Sequence, residues 1–180
     1  MDGARTQAEE TPRQRERLSV AAWQALVGKR LGASGWHCLD QERISQYAAC
    51  VCDEYWLHCD PERAAAESPT GGTIAHGLLS LSLISAMAEE ALPRMEGEQS
   101  VLNYGFNRVR FVAPVPVNAR LRGLFDLIAL EQPRAGHVTV TCAVTIEREG
   151  AAKPAVVAEW LHRRILKPRP HTPQGDDRCD

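Results

Sequence analysis

By the spacing of its apolar and polar positions, the 180-residue chain divides into a helical first half and a strand-like second half. In "SVAAWQALVGK" the residues Val20, Trp23, Ala25, Leu26 and Val27 follow an approximate helical stripe, and Ser19 stands where a hydroxyl caps the first amides. Gly28, Gly32 and Gly35 then break the helix, and "GWHCL" reads as a brief extended piece. Asp40 opens "DQERISQYAACVC", a capped helix with Ile44, Tyr47, Ala48 and Val51 on its inward face and Asp53 at its end. "DPERAAAES" repeats the device, with Asp60 as N-cap, Pro61 in the first turn and Glu62 facing the helix dipole. "GGTIAHGLLSLSLISAMAEEAL" is apolar on nearly every face, which predicts a central helix wrapped by other elements. It is too short to span a bilayer, because Ser80, Ser82 and Ser85 interrupt it and Glu89 and Glu90 end it. "VLNYGFNRVRFVAPV", "ARLRGLFDLIALE", "HVTVTCAVTIERE" and "AVVAEWLHRRIL" alternate or run apolar with β-branched and aromatic enrichment, so they read as strands. One buried helix against a sequential antiparallel sheet predicts the α+β class.

Composition narrows the partners. With 44% hydrophobic and 24% charged residues the chain can bury one core, expected over residues 18–167, while residues 1–17 and 168–180 read as disordered tails. A net charge of −2 with scattered basic residues supplies neither a nucleic-acid footprint nor a polybasic membrane patch. The N-terminus is charged and lacks a signal peptide's apolar core, which predicts a cytoplasmic address. Six cysteines are too few and too irregular for a disulfide scaffold, and thiols are expected. Cys50, Cys52, His58 and Cys59 lack the usual two-residue clip of a zinc site and any second clip, so small-residue packing is expected and no metal.

The polar chemistry gathers between Asp53 and Gly77: a carboxylate, two imidazoles and a glycine-rich turn just ahead of the apolar run. The stretch "ISQYAACVCDEYWLHCDPERAAAESPTGGTIAHGLLSLSL", followed by "NYGFNRVRFVAPVPVNARLRG", resembles the MaoC-like dehydratase family, the (R)-specific enoyl-CoA hydratases, and especially its nodulation-protein-N-like branch. The resemblance implies a hotdog fold, a long helix wrapped by a curved antiparallel sheet, in subunits that pair as homodimers or higher homo-oligomers. It also implies reversible addition of water across the 2,3 double bond of an enoyl thioester. Asp53 is then the likelier base, His58 its base or acid partner, and both hold one water. The backbone N–H of Gly77, beside Ala75 and His76, is the implied donor to the thioester oxygen, with His76 a positioning residue. Tyr55 and Trp56 are expected as pocket wall; they replace an Asn and a Pro common in the family, and Cys52 stands where a small or flexible residue is commoner. No bound cofactor is implied, because coenzyme A, or an acyl carrier protein, arrives as part of the substrate. Two other readings are a hotdog thioesterase, against which Glu89 and Glu90 lie far down the helix, and a non-catalytic acyl-thioester binding or assembly protein. Arg108, Arg110, Arg120 and Arg122 read as a solvated face rather than phosphate ligands. His37, His137 and His162 have no evident polar companion and read as surface or core filling.

Overall fold

The computed structural model describes residues 16–167, so the expected tails lie outside it except at Glu16 and Arg17. Arg17 belongs to a short strand, β1 (Arg17–Leu18), paired in parallel with β4 (Arg94–Met95). Side-chain caps set the helices that follow. The Ser19 hydroxyl accepts from the Ala22 N–H at 3.1 Å and opens α1 (Val20–Gln24), whose Trp23 is fully buried. The Asp40 carboxylate accepts from the Arg43 N–H at 2.9 Å and opens α2 (Gln41–Val51), burying Ile44 and Ala48. Val51, expected on the inward face, is 46% exposed, since it sits in the last turn where the chain departs through a left-handed Cys52. Next come one turn of helix that the pattern did not reveal, α3 (Trp56–Cys59), and α4 (Pro61–Glu67), capped by Asp60 as expected.

The central helix runs in two segments, α5 (Gly77–Ser82) and α6 (Ile84–Ala91), joined through Leu83, whose backbone stays right-handed helical. A bond from the Met87 N–H to the Leu83 carbonyl carries the ladder on into α6. Leu79, Leu83, Ile84, Met87 and Ala88 are buried and form the centre of the core. Around them curves a six-stranded antiparallel sheet: β2 (Arg30–Ala33), β3 (His37–Leu39), β5 (Glu98–Phe111), β6 (Ala119–Arg134), β7 (His137–Arg148) and β8 (Val156–Leu166). Its order is β2-β6-β7-β8-β5, with β3 also on β6. The sheet is therefore not sequential as expected: β5 skips β6 and closes against β8, leaving β5 as an edge. β2 also replaces an expected break. Its Gly32 is required by packing rather than by turning, because a Cβ there would lie 2.2 Å from the Ala91 carbonyl oxygen. Strict alternation along β7 and β8 turns Val138, Val140, Cys142, Val144, Ile146, Ala158 and Trp160 inward, and it turns His162 and Arg164 inward with them.

Candidate active site

The polar stretch folds around the head of α5. After α2 the left-handed Cys52 (φ 57°) turns the chain and leaves Asp53 with its side chain 56% exposed. The single turn of α3 then brings His58 back toward α5. Gln41, in the first turn of α2, fixes this loop from below: its amide donates to the His58 carbonyl at 2.8 Å and its side-chain oxygen accepts from the Thr73 hydroxyl at 2.5 Å. Nothing in the spacing singled out Gln41.

His58 Nδ1 lies 2.7 Å from the Ile74 carbonyl oxygen. A carbonyl can only accept, so Nδ1 carries the proton and neutral His58 keeps its lone pair on Nε2. His76, buried at the N-cap of α5, stacks on His58 with ring centroids 3.7 Å apart and a 28° tilt. Its Nε2 donates to the Asp53 backbone carbonyl at 2.9 Å and stands 3.9 Å from the Asp53 carboxylate. His76 thus touches both other polar residues, and the resemblance alone did not show how. One polar atom from each of Asp53, His58 and His76 lies within 4.8 Å of the other two. A water making bonds of about 2.8 Å to two groups at a tetrahedral angle spans about 4.6 Å between them, so the spacing suits a shared water. A cation held at about 2.0–2.1 Å suits it less. One nitrogen of each stacked imidazole is already bonded to a carbonyl.

Beside His58 opens a cleft of about 300 Å³, lined by Ala75, Gly77, Ser80, Phe111 and Val115 among others. The Ala75 N–H donates to the Val115 carbonyl at 2.8 Å, which ties the entry of α5 to the loop after β5. Gly77 begins α5, where first-turn N–H groups have no partner within the helix. A Cβ on Gly77 would lie 2.9 Å from the Phe111 ring, so glycine is what lets this wall approach. Tyr55 and Trp56, expected as pocket wall, do not line this cleft. Tyr55 is more than half exposed as N-cap of α3, and Trp56 lies under the Arg63 guanidinium, 4.5 Å from its ring centre.

The other residues singled out earlier fall elsewhere. Cys50 and Cys52 are exposed, so these two are not packing residues, Cys59 is half-buried, and no metal-ligating group containing any of the three forms among the described residues. Arg120 pairs with Glu149 at 3.0 Å and Arg122 with Glu147 at 2.7 Å. His37 has a companion after all, Glu90 at 3.0 Å. His162 has one too: its fully buried ring accepts at Nε2 from Arg164 Nε at 3.2 Å, and Arg164 pairs in turn with Glu98. The alternation of β8 carried that signal, since His162 and Arg164 share the inward face with Trp160.

Burial, and secondarily the Arg164 charge, pushes the His162 pKa from 6.5 down to about 3. Folded His162 therefore stays neutral while the unfolded chain takes up a proton below pH 6.5. The stability this contributes is complete above pH 6.5 and drains away as the pH falls toward about 3. Urea midpoints measured from pH 7 to pH 4 should fall more steeply for the native protein than for His162→Gln; parallel curves would contradict this.

A curved antiparallel sheet around a central helix, with these polar residues at the helix head, defines a hotdog-fold protein. The chain belongs to the MaoC-like dehydratase family: residues 6–148 match the model of the MaoC like domain. It is 39% identical to nodulation protein N of Rhizobium meliloti over 158 residues, covering 88% of this chain and 98% of the relative. It is 42% identical to 3-hydroxyacyl-thioester dehydratase Z of Mycobacterium tuberculosis over 147 residues, covering 82% and 96%. Among solved structures, the monoamine oxidase regulatory protein from Archaeoglobus fulgius shares the fold with a TM-score of 0.70 at 18% identity, covering 86% and 98%. The (R)-hydratase from A. caviae involved in PHA biosynthesis aligns with a TM-score of 0.61 at 25% identity, covering 76% and 94%.

Proposed function

We propose that the protein adds water reversibly to the 2,3 double bond of a 2-enoyl thioester, giving the (R)-3-hydroxyacyl thioester. The observation that carries this reading is the approach of Asp53 and His58 to within 4.8 Å beside a cleft that starts at the first turn of α5. In the forward direction Asp53 and the unprotonated His58 Nε2 hold one water. Its oxygen forms the bond to C3 while one of its protons passes to this pair. The π electrons move through C2 onto the thioester oxygen, where the Gly77 N–H meets the developing charge. The pair then returns a proton to C2. Coenzyme A or an acyl carrier protein supplies the thioester, so the reaction calls for no cofactor of the protein's own. The names of the relatives, a 3-hydroxyacyl-thioester dehydratase and an (R)-hydratase, agree with this chemistry.

A thioesterase that used a carboxylate along the central helix would find both candidates there committed elsewhere. Glu90 accepts from the Gly35 N–H at 2.8 Å, and Glu89 pairs with Arg94 at 2.9 Å. The test is to mix the protein with crotonyl-CoA and follow the enone absorbance and free thiol together. Hydration removes the absorbance and releases no thiol. Thiol release would replace the reading with a thioesterase, and no change in either signal would replace it with a binder.

The proposed enzyme is a homodimer. β5 is an open sheet edge of 14 residues and exposes Val101, Leu102, Tyr104, Phe106 and Phe111, and Leu78 of the central helix is 59% exposed. A long apolar edge favours pairing with a second copy into one continuous sheet. Light scattering should give twice the chain mass of 19.9 kDa, and a Leu102→Lys, Tyr104→Lys double variant should approach the single mass. A native monomer would contradict it.

A further inference from the structure

Two short segments meet ahead of α5: residues 57–58, in the turn of α3, and residues 73–75. The Ile74 N–H donates to the Leu57 carbonyl at 3.1 Å, and His58 Nδ1 donates to the Ile74 carbonyl at 2.7 Å. The second segment is seated in turn on the loop after β5, where the Val117 N–H donates to the Thr73 carbonyl at 2.9 Å. Gln41 joins both segments from a third element, α2. Its amide nitrogen donates to the His58 carbonyl at 2.8 Å and to Ser45 Oγ at 3.2 Å, while its amide oxygen accepts from the Thr73 hydroxyl at 2.5 Å. Thr73 is 2% exposed, so water is a poor substitute for the amide as its partner.

The partners dictate what this bridge can be made of. A backbone carbonyl only accepts, so the amide nitrogen faces His58 and the amide oxygen is left to the Thr73 hydroxyl. The side chain at position 41 must therefore donate and accept at once. Glutamate at neutral pH offers acceptors alone, and methionine, of similar length, offers no donor. The bond lands on the backbone of His58 rather than on its ring, so it governs where the ring is carried. Nδ1 is held as the protonated nitrogen by the Ile74 carbonyl, and a backbone displacement that opens this contact releases the tautomer.

We propose that Gln41 is a positioning residue for the reaction: its bridge to Thr73 holds His58 in the tautomer that leaves Nε2 basic. The inference rests on the hydratase reading for the use of Nε2, but not for the tautomer, and its test reads the two separately. Nitrogen-15 spectra of the histidine rings in the full-length protein should show His58 protonated at Nδ1. Gln41→Glu and Thr73→Val should each turn that signal into a tautomer mixture, with the buried His162 signal unmoved as the check on folding. In crotonyl-CoA hydration both variants should lose about tenfold to a hundredfold in kcat with KM within about twofold of native, the scale of a misplaced catalytic group. Thr73→Ser separates bonding from packing. It keeps the hydroxyl and loses the methyl, whereas valine keeps the volume and loses the hydroxyl, so serine should retain the higher kcat. Gln41→Met combined with Thr73→Val should lose no more than the worse single variant, because the two side chains form one bridge. Should Gln41→Glu fail to fold, the valine and serine variants decide. A kcat within about twofold of native in the folded variants, or valine outperforming serine, would overturn the proposal and leave the hydration reading in place. If the native protein leaves crotonyl-CoA untouched, the hydration reading falls and the spectra alone decide: an unaltered Nδ1–H signal in the variants overturns the bridge, and a tautomer mixture keeps it.

Discussion

Asp53→Asn and His58→Ala are each expected to lower kcat/KM for crotonyl-CoA hydration by about 10²–10⁴-fold, the range of a positioned acid or base. The two losses should not multiply in the double variant, because both side chains serve one water. His58→Gln should fare little better than alanine: its amide can keep the Ile74 contact but offers no basic nitrogen in place of Nε2. Steady-state rates followed by enone absorbance give all four values. Near-native activity in either single variant would remove that residue from the mechanism. His76 should behave differently. It touches the Asp53 carbonyl and the His58 ring rather than the proposed water, so His76→Ala should disorder the pair and weaken both partners at once.

Glu98→Ala is expected to cost about 3–5 kcal/mol of folding stability, the scale for stripping one partner from a buried ion pair. The two side chains retain 4% (Arg164) and 11% (Glu98) of their exposure, and the variant strands the cation in the core. Burial already pushes the Arg164 pKa down, and Glu98 is the main influence opposing that shift. Glu98 also accepts from the Met95 N–H at 3.2 Å, while Arg164 reaches the Pro93 carbonyl and lies over Trp23. One pair therefore ties β4 and β5 to β8 and α1. Urea denaturation measures the loss, and a change below about 1 kcal/mol would mean that the pair behaves like a surface one.

The parts of this fold legible in the sequence are those set by local chemistry. Ser19, Asp40 and Asp60 cap as their positions predict, because an N-cap needs only a short oxygen and the next turn's amides. The alternation of β6, β7 and β8 is equally local. The edge position of β5 is not, since nothing within "VLNYGFNRVRFVAPV" says which strand it will meet. Gly32 was misread for the same reason: a glycine looks like a break until the Ala91 carbonyl arrives beside it from 59 residues away. At the candidate site, the Asp53 and His58 spacing and the "AHG" turn pointed to residues that the fold brings together. What the spacing could not carry was the support, namely the His76 stack, the Ile74 carbonyl that sets the tautomer and the Gln41 bridge, because these join segments through space. Tyr55 and Trp56 erred in the opposite direction, since adjacency in sequence to Asp53 did not make them cleft wall.

The most direct test is a crystal structure of the native protein with 3-hydroxybutyryl-CoA. The C3 hydroxyl oxygen should lie about 2.6–3.2 Å from both the Asp53 carboxylate and His58 Nε2, with the thioester oxygen facing the Gly77 N–H. A hydroxyl that meets neither side chain, or a thioester carbonyl turned toward the carboxylate, would contradict the account.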